Sequence, residues 1–426
     1  MIQRKPKDLI YAIDITILLY AMSIYILSYH ESTNTISKLI AFALMALLAL
    51  YVVLDAGKMV FCYYALGLAL FVLLCYFSKL WAISAAYTEA KTSTMLQILL
   101  LTVLLYNYLY REKKCAYFTL VLCIAGTSFA VYTIFYYGVS DYFSGLLQGE
   151  RMGSEITNVN TIGMATLSSL IIGFWYVLYH KKKLGLLPMI VSAITALGSG
   201  SRKVIFSLAV SLLLMVFLRG NYKRKVQTFL QCVAALGVFY LVLQLPIFST
   251  LLKSVENMLN GVLGTGETDS STAVRMKMIA AGMKQFKETP LLGVGIGNAC
   301  FVNFAATGRQ TYLHNNYVEL LASVGLIGTV LFYSVYAWPL PTLLKKTASR
   351  QSEAILALTL LLVDLVIQYG QVTYYLKNVH LQILLYFLIA NATEEEPVVQ
   401  RAPRRRRIVV SGLSVRRRRT VHTVGR

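Results

Sequence analysis

The chain has 426 residues, 57% of them hydrophobic and only 14% charged, with a mean hydropathy of +0.62. That is too apolar for a soluble domain of ordinary composition, so a polytopic membrane protein is expected. The formal charge of +21 would suit a nucleic-acid binder, but the basic residues fall in short clusters between apolar runs and in a C-terminal tail. That distribution is a topology signal, and no nucleic acid is expected as partner.

Arg4, Lys5 and Lys7 precede an apolar run of bilayer length that has no small-residue cleavage site, so an uncleaved first span is expected. Apolar runs recur near 9–28, 36–55, 59–78, 92–110, 115–137, 159–180, 184–200, 203–218, 226–246, 318–343, 353–372 and 377–392. They predict an all-α polytopic protein of about twelve transmembrane helices, the runs being too long for barrel strands. With the N-terminus inside, the basic clusters at Lys58, 111–114, 181–183, 219–225 and 345–350 all fall on the inner side. The positive-inside rule then places both termini in the cytoplasm.

The expected organisation is a transmembrane domain over 1–392, an extracytoplasmic loop over 247–317 inserted between two spans, and a basic cytoplasmic tail over 393–426. The tail is charge-blocked and aperiodic, hence expected to be disordered, and its two arginine blocks suit the anionic inner leaflet. Trp81, Trp175 and Trp338 fall at span ends as interfacial anchors. Cysteines 62, 75, 115, 123 and 232 lie in apolar runs, Cys300 lies in the loop, and no disulfide framework or CxxC metal site is expected.

The long loop carries most of the chemistry. Asp269 to Thr272 supply N-cap candidates and Pro290 with Gly293 closes the segment, predicting a helix of about four turns with short helices elsewhere in the loop. At 100° per residue, Arg275 shares a face with Ile279, Gly282, Met283 and Phe286, whereas Lys277, Lys284 and Lys287 lie opposite as a solvated face. An arginine on an apolar face needs an anion, either a protein carboxylate or a ligand phosphate. The glycines of LLGVGIGN match neither GxGxxG nor a Walker sequence, so the segment is read as a turn back towards the membrane. Glu267 and Asp269 form an ExD pair, read as solvated acids, and no metal is expected.

His314 stands where the loop meets the next span, flanked by Asn315 and Asn316, with Glu319 about one turn on. An imidazole there either caps the helix or acts as a base near neutral pH. His30, His180, His380 and His422 sit at a span end, beside inner lysines, within the last span and in the tail, and are poor candidates. Arg202 and Lys203 in GSGSRKVIFSL lie between the seventh and eighth spans, where basic residues either snorkel or meet a ligand. Asn158 and Asn160 in ERMGSEITNVNTIG open the sixth span and either cap it or contact sugar hydroxyls.

Taken in order, SGSRKVIFSL after a span, Arg275 leading a helix into TPLLGVGIGN, and HNNYVELLASVGLIG entering the next span resemble the O-antigen ligase and O-antigen polymerase superfamily of bacterial envelope glycan assembly. The resemblance covers roughly Asn158 to Gly328; Lys203 departs from it, standing where the family commonly has glycine. It implies a GT-C-like, cofactor-free and metal-independent glycosyltransferase of the bacterial cytoplasmic membrane that uses a polyprenyl-diphosphate-linked glycan as donor and another as acceptor. By motif, it implies catalytic roles for Arg202, Arg275 and His314. Lys203, Asn158, Asn160, Asn315, Asn316 and Glu319 are then expected around the substrate. The expected activity is polymerisation of repeat units into surface or capsular polysaccharide, with membrane lipid and other envelope polysaccharide assembly proteins as partners. A ligase that moves a lipid-linked glycan to another acceptor shares these residues, and a flippase of lipid-linked oligosaccharide is the rival from another class.

Overall fold

The computed structural model describes residues 6–28, 31–55, 57–219, 225–244 and 270–392, and among these every regular element is helical. The ExD pair, the tail from Thr393 and the first part of the long loop lie outside the described residues. In chain order the α-helices are α1 (Lys7–Ile26), α2 (Glu31–Leu54), α3 (Tyr63–Phe77), α4 (Ala85–Arg111), α5 (Cys115–Tyr137), α6 (Val139–Leu147), α7 (Val159–His180) and α8 (Leu186–Gly198). They continue as α9 (Arg202–Arg219), α10 (Lys225–Leu243), α11 (Ser270–Glu288), α12 (Ala299–Thr307), α13 (Asn316–Ala337), α14 (Leu340–Ala348), α15 (Ser352–Gln368) and α16 (Lys377–Asn391).

Among the described residues, seven stretches are long and apolar enough to cross a bilayer: α1, α2 from Ser32, α3 extended to Leu80, α4, α5, α7, and Asn316–Ala348 through α13 and α14. The protein is therefore a multi-pass, all-α membrane protein. The expectation of about twelve crossings is met only by these seven on length and composition. The other predicted runs are helical but differently built. The 353–372 run is a 17-residue helix that stops at Gln368, α16 has 15 residues and α8 has 13. α9 spans 18 residues but carries Arg202, Lys203 and Arg219. Apolar runs in the sequence extend through turns that end the helices, so run length overstates helix length.

α7 packs against α8, α5, α9 and α15; α3 packs against α13; and α16 contacts α4, α5 and α15. Val379 to Ala390 of α16 are buried without interruption, which is why this helix is apolar all round rather than striped. His380 is satisfied within that core, its Nδ1 2.9 Å from the Tyr64 hydroxyl and its Nε2 2.7 Å from the Tyr374 carbonyl. In the first half of α1, Asp14 accepts from the Tyr108 hydroxyl at 2.7 Å and pairs with Lys114, tying α1, α4 and the start of α5 together. Close helix approach relies on small residues: a Cβ on Gly163 of α7 would lie 2.4 Å from Ser199 Oγ, so α7 runs directly beneath the α8–α9 turn.

α13 is broken at Gly325, whose φ is 64°. A break frees backbone groups that cannot stay unpaired inside a bundle. The Pro290–Val294 segment takes them up: Val294 N donates to Ala322 O at 3.0 Å, and Leu326 N donates to Pro290 O at 2.8 Å. A Cβ at Gly325 would lie 2.2 Å from the Leu291 carbonyl carbon, so only glycine admits this splint. The glycine-rich stretch is thus the expected turn, and it fastens the end of α11 to the middle of α13.

Candidate active site

The site forms where the N-termini of α7, α9 and α13 meet α11. α11 lies as its periodicity predicts. Met278 is buried and Val274, Ile279 and Met283 pack with it against Ala299, Leu313, Val318 and Ala322, while Lys277, Lys284 and Lys287 are exposed. A Cβ on Gly282 would lie 2.6 Å from Leu313 Cδ1 and 2.5 Å from Val318 Cγ1, so the helix seats directly on the loop that bears His314. Arg275, two turns earlier on the same face, is half-buried and electrostatically coupled to His314, Lys203 and Arg151.

His314 has φ 57°, a left-handed conformation that costs a non-glycine residue roughly 1–2 kcal/mol. Its neighbours hold it there. The Leu313 N–H donates to Glu319 Oε2 at 2.9 Å, and Asn315 caps α13 by accepting from Val318 N at 3.1 Å. The Tyr312 ring packs beside the imidazole with centroids 4.3 Å apart. Burial, together with the positive charges of Arg275 and Lys203, pushes the His314 imidazole down to about 4. At neutral pH it is therefore an uncharged base.

Arg202 opens α9 after the Gly198–Ser201 turn, and Gly200 in that turn has φ 62°. Lys203 reaches across to the turn between α15 and α16, where its Nζ donates to the Gly370 carbonyl. The four cations Arg151, Arg202, Lys203 and Arg275 thus gather with His314 at the positive ends of three helices, an arrangement that favours a bound anion.

The asparagines separate into two groups. Asn158 caps α7, accepting from Asn160 N at 3.0 Å, and Asn160 Oδ1 accepts from Arg151 Nη2 at 3.2 Å at the rim of the cationic cluster. Asn316 is fully buried and turned away from it. Its amide donates to Tyr333 OH at 3.0 Å and to Gln368 Oε1 at 2.9 Å, and its oxygen accepts from Thr373 N and Tyr374 N at 2.9 and 3.0 Å. Glu319 acts on the loop backbone and faces Lys91 of α4, whose Nζ lies 3.5 Å from the Tyr375 ring centroid.

Arg151 is the cation that sequence reasoning passed over. Its Nε donates to Ser199 O at 3.0 Å, and burial and the charges of Arg275 and Arg202 lower its pKa. A signal was present: Arg151 stands on the side that the charge rule leaves poor in basic residues. Lys91 stands on the same side, but a single lysine at a span end also reads as snorkelling, which masks the signal.

Fold and site together define a multi-pass, all-α membrane protein that brings a histidine and a cluster of cations together at its helix ends. The profile of the O-antigen ligase family matches residues 187–333. That stretch, well under half of the chain, is similar to the O-antigen ligase family. It holds Arg202, Lys203, Arg275, His314, Asn315, Asn316 and Glu319, and leaves out Arg151, Asn158 and Asn160. No curated protein matches the chain.

Proposed function

We propose that the protein is a metal-independent glycosyltransferase that polymerises polyprenyl-diphosphate-linked repeat units into surface or capsular polysaccharide. What supports this reading is the juxtaposition of His314, held in a left-handed conformation, with Arg275 and Lys203, and with Arg151 and Arg202 in the same cluster. In the transfer, the bond from the anomeric carbon to the diphosphate oxygen breaks as the acceptor hydroxyl oxygen bonds to that carbon from the opposite face. The configuration inverts. His314 takes the hydroxyl proton, and the leaving diphosphate carries away the bonding electron pair as charge that the guanidinium groups stabilise.

Such a site belongs on the outer face of the bacterial cytoplasmic membrane, with 247–317 outside, both termini cytoplasmic and about twelve crossings once the shorter helices are counted. The distribution of basic residues supports that topology.

The deciding experiment supplies purified protein in detergent with lipid-linked repeat units. Ladders of extended lipid-linked glycan are expected. Donor that remains single-repeat, with no second compartment to receive it, overturns the reading. A ligase reading is favoured by the description of the matching family; it predicts transfer of the glycan to a different acceptor, without a ladder.

A further inference from the structure

Behind the N-terminus of α13 lies a cavity of about 40 Å³ that the transfer chemistry does not use. Its walls come from α7, α15, α16 and the intervening turn, and its polar lining includes Thr161, Asp364, Gln368, Gln371, Thr373 and Gln382. No Lys, Arg or His is among the lining residues. Asp364 is only 8% exposed. It accepts a hydrogen bond from the Tyr386 hydroxyl, and the Gln382 amide, oriented by its network, donates to both carboxylate oxygens at 3.0 and 3.2 Å while accepting from Ser168 Oγ at 3.2 Å. These neutral donors satisfy lone pairs but bring no positive charge, and a carboxylate inside a helical membrane bundle calls for a partner. Two further oxygens on the cavity wall, Gln371 Oε1 and Thr373 Oγ1, are buried without a hydrogen-bond partner, and Thr373 is only 3% exposed.

The geometry points to a binding site for one alkali-metal cation, held by the Asp364 carboxylate with the Gln371 carbonyl and Thr373 hydroxyl oxygens. A single carboxylate among neutral oxygens matches a monovalent charge, since divalent ions of the calcium kind draw several carboxylates. Among the described residues no trio of His, Cys, Asp or Glu is placed to take a transition metal. The cavity has room for an ion with one or two waters, each water needing roughly 10–15 Å³.

The ion would brace the turn on which two parts of the active site rest. Gly370 receives Lys203, the neighbour of Arg202, and the Thr373 and Tyr374 N–H groups hold Asn316, two residues after His314. The binding claim stands on the cavity alone; the coupling to transfer rests on the glycosyltransferase reading.

The test is thermal unfolding of the purified full-length protein in detergent, in lithium, sodium or potassium chloride against N-methylglucamine chloride at equal ionic strength. One alkali cation is expected to raise the unfolding temperature saturably, by on the order of a few degrees. Asp364→Asn abolishes that response. Thr373→Val, which removes the orphan oxygen at nearly constant shape, leaves the cation-free protein at least as stable and raises the half-saturating concentration. Equal unfolding temperatures in all four salts overturn the proposal, as does a response that survives both variants or a stability that follows pH but not the cation. Transfer rate is expected to follow the same saturation curve; cation binding without a rate effect would remove the coupling and leave the site.

Discussion

The Glu319 carboxylate accepts the Leu313 N–H at 2.9 Å, one residue before His314, so the acid nearest the histidine in sequence acts on the loop backbone. Both residues are buried, and an N–H left unpaired there costs about 1–3 kcal/mol. Glu319→Ala should therefore lower both the unfolding temperature and the transfer rate. Glu319→Gln retains an oxygen that can accept from Leu313 and should keep most of both. Parallel measurement of unfolding and kcat checks this, and equal damage from the two variants would count against the backbone role.

His314 makes the pH dependence specific. Burial, and then the Arg275 and Lys203 charges, hold the imidazole at about 4, below its ordinary value. The active form is the neutral base. The rate should stay level as pH falls through the ordinary histidine range and drop only as it approaches about 4. Arg275→Gln removes one repelling charge, so its acid limb should move to higher pH even as its maximum rate falls. His314→Ala, at unchanged membrane levels, should reduce transfer by roughly 10²–10⁴-fold. Rate–pH profiles of the three proteins decide the matter.

Legibility in the sequence divides along physical lines. Arg275 was readable because a helix period assigns a face, and that face packs as the period requires. His314, Arg202 and Arg275 were carried as a set by motif order, but their meeting at three helix ends depends on tertiary packing that no local pattern encodes. Asn316 reads as a polar residue beside a histidine, yet its side-chain hydrogen bonds go to residues 17 to 58 positions away. The glycine-rich stretch showed its turn, while its role as a splint for α13 requires knowing that Gly325 breaks that helix.

Gly200 and Arg151 should behave as one unit. A Cβ at Gly200 would lie 2.9 Å from both Cγ and Nε of Arg151, on a backbone with φ 62°. Gly200→Ala should displace the guanidinium and mimic Arg151→Ala. Each is expected to lower kcat/KM by roughly 10–100-fold, the size of a hydrogen bond to a charged group. The double variant should be little worse than either, and Arg151→Lys should not rescue, since a lysine cannot bond Ser199 and Asn160 in the same fork. A double-mutant cycle measures the coupling; additive effects would mean that the two residues act separately.

Asn316 tests whether proximity to His314 means contact with substrate. Its amide already donates to Tyr333 and Gln368, and its oxygen already accepts from Thr373 and Tyr374. Asn316→Leu preserves volume but strands buried polar groups on three segments, so a loss of several kcal/mol is expected. Asn316→Asp keeps the accepting oxygen, removes both donors and adds a buried charge, and should be no better. For the protein that remains folded, KM for the lipid-linked donor should be unchanged and the acid limb of the rate profile should stay where His314 sets it. The measurement is KM and the pH profile on material normalised for folded fraction. A selective rise in KM at normal stability would place Asn316 against the substrate and show that its internal bonds open during turnover.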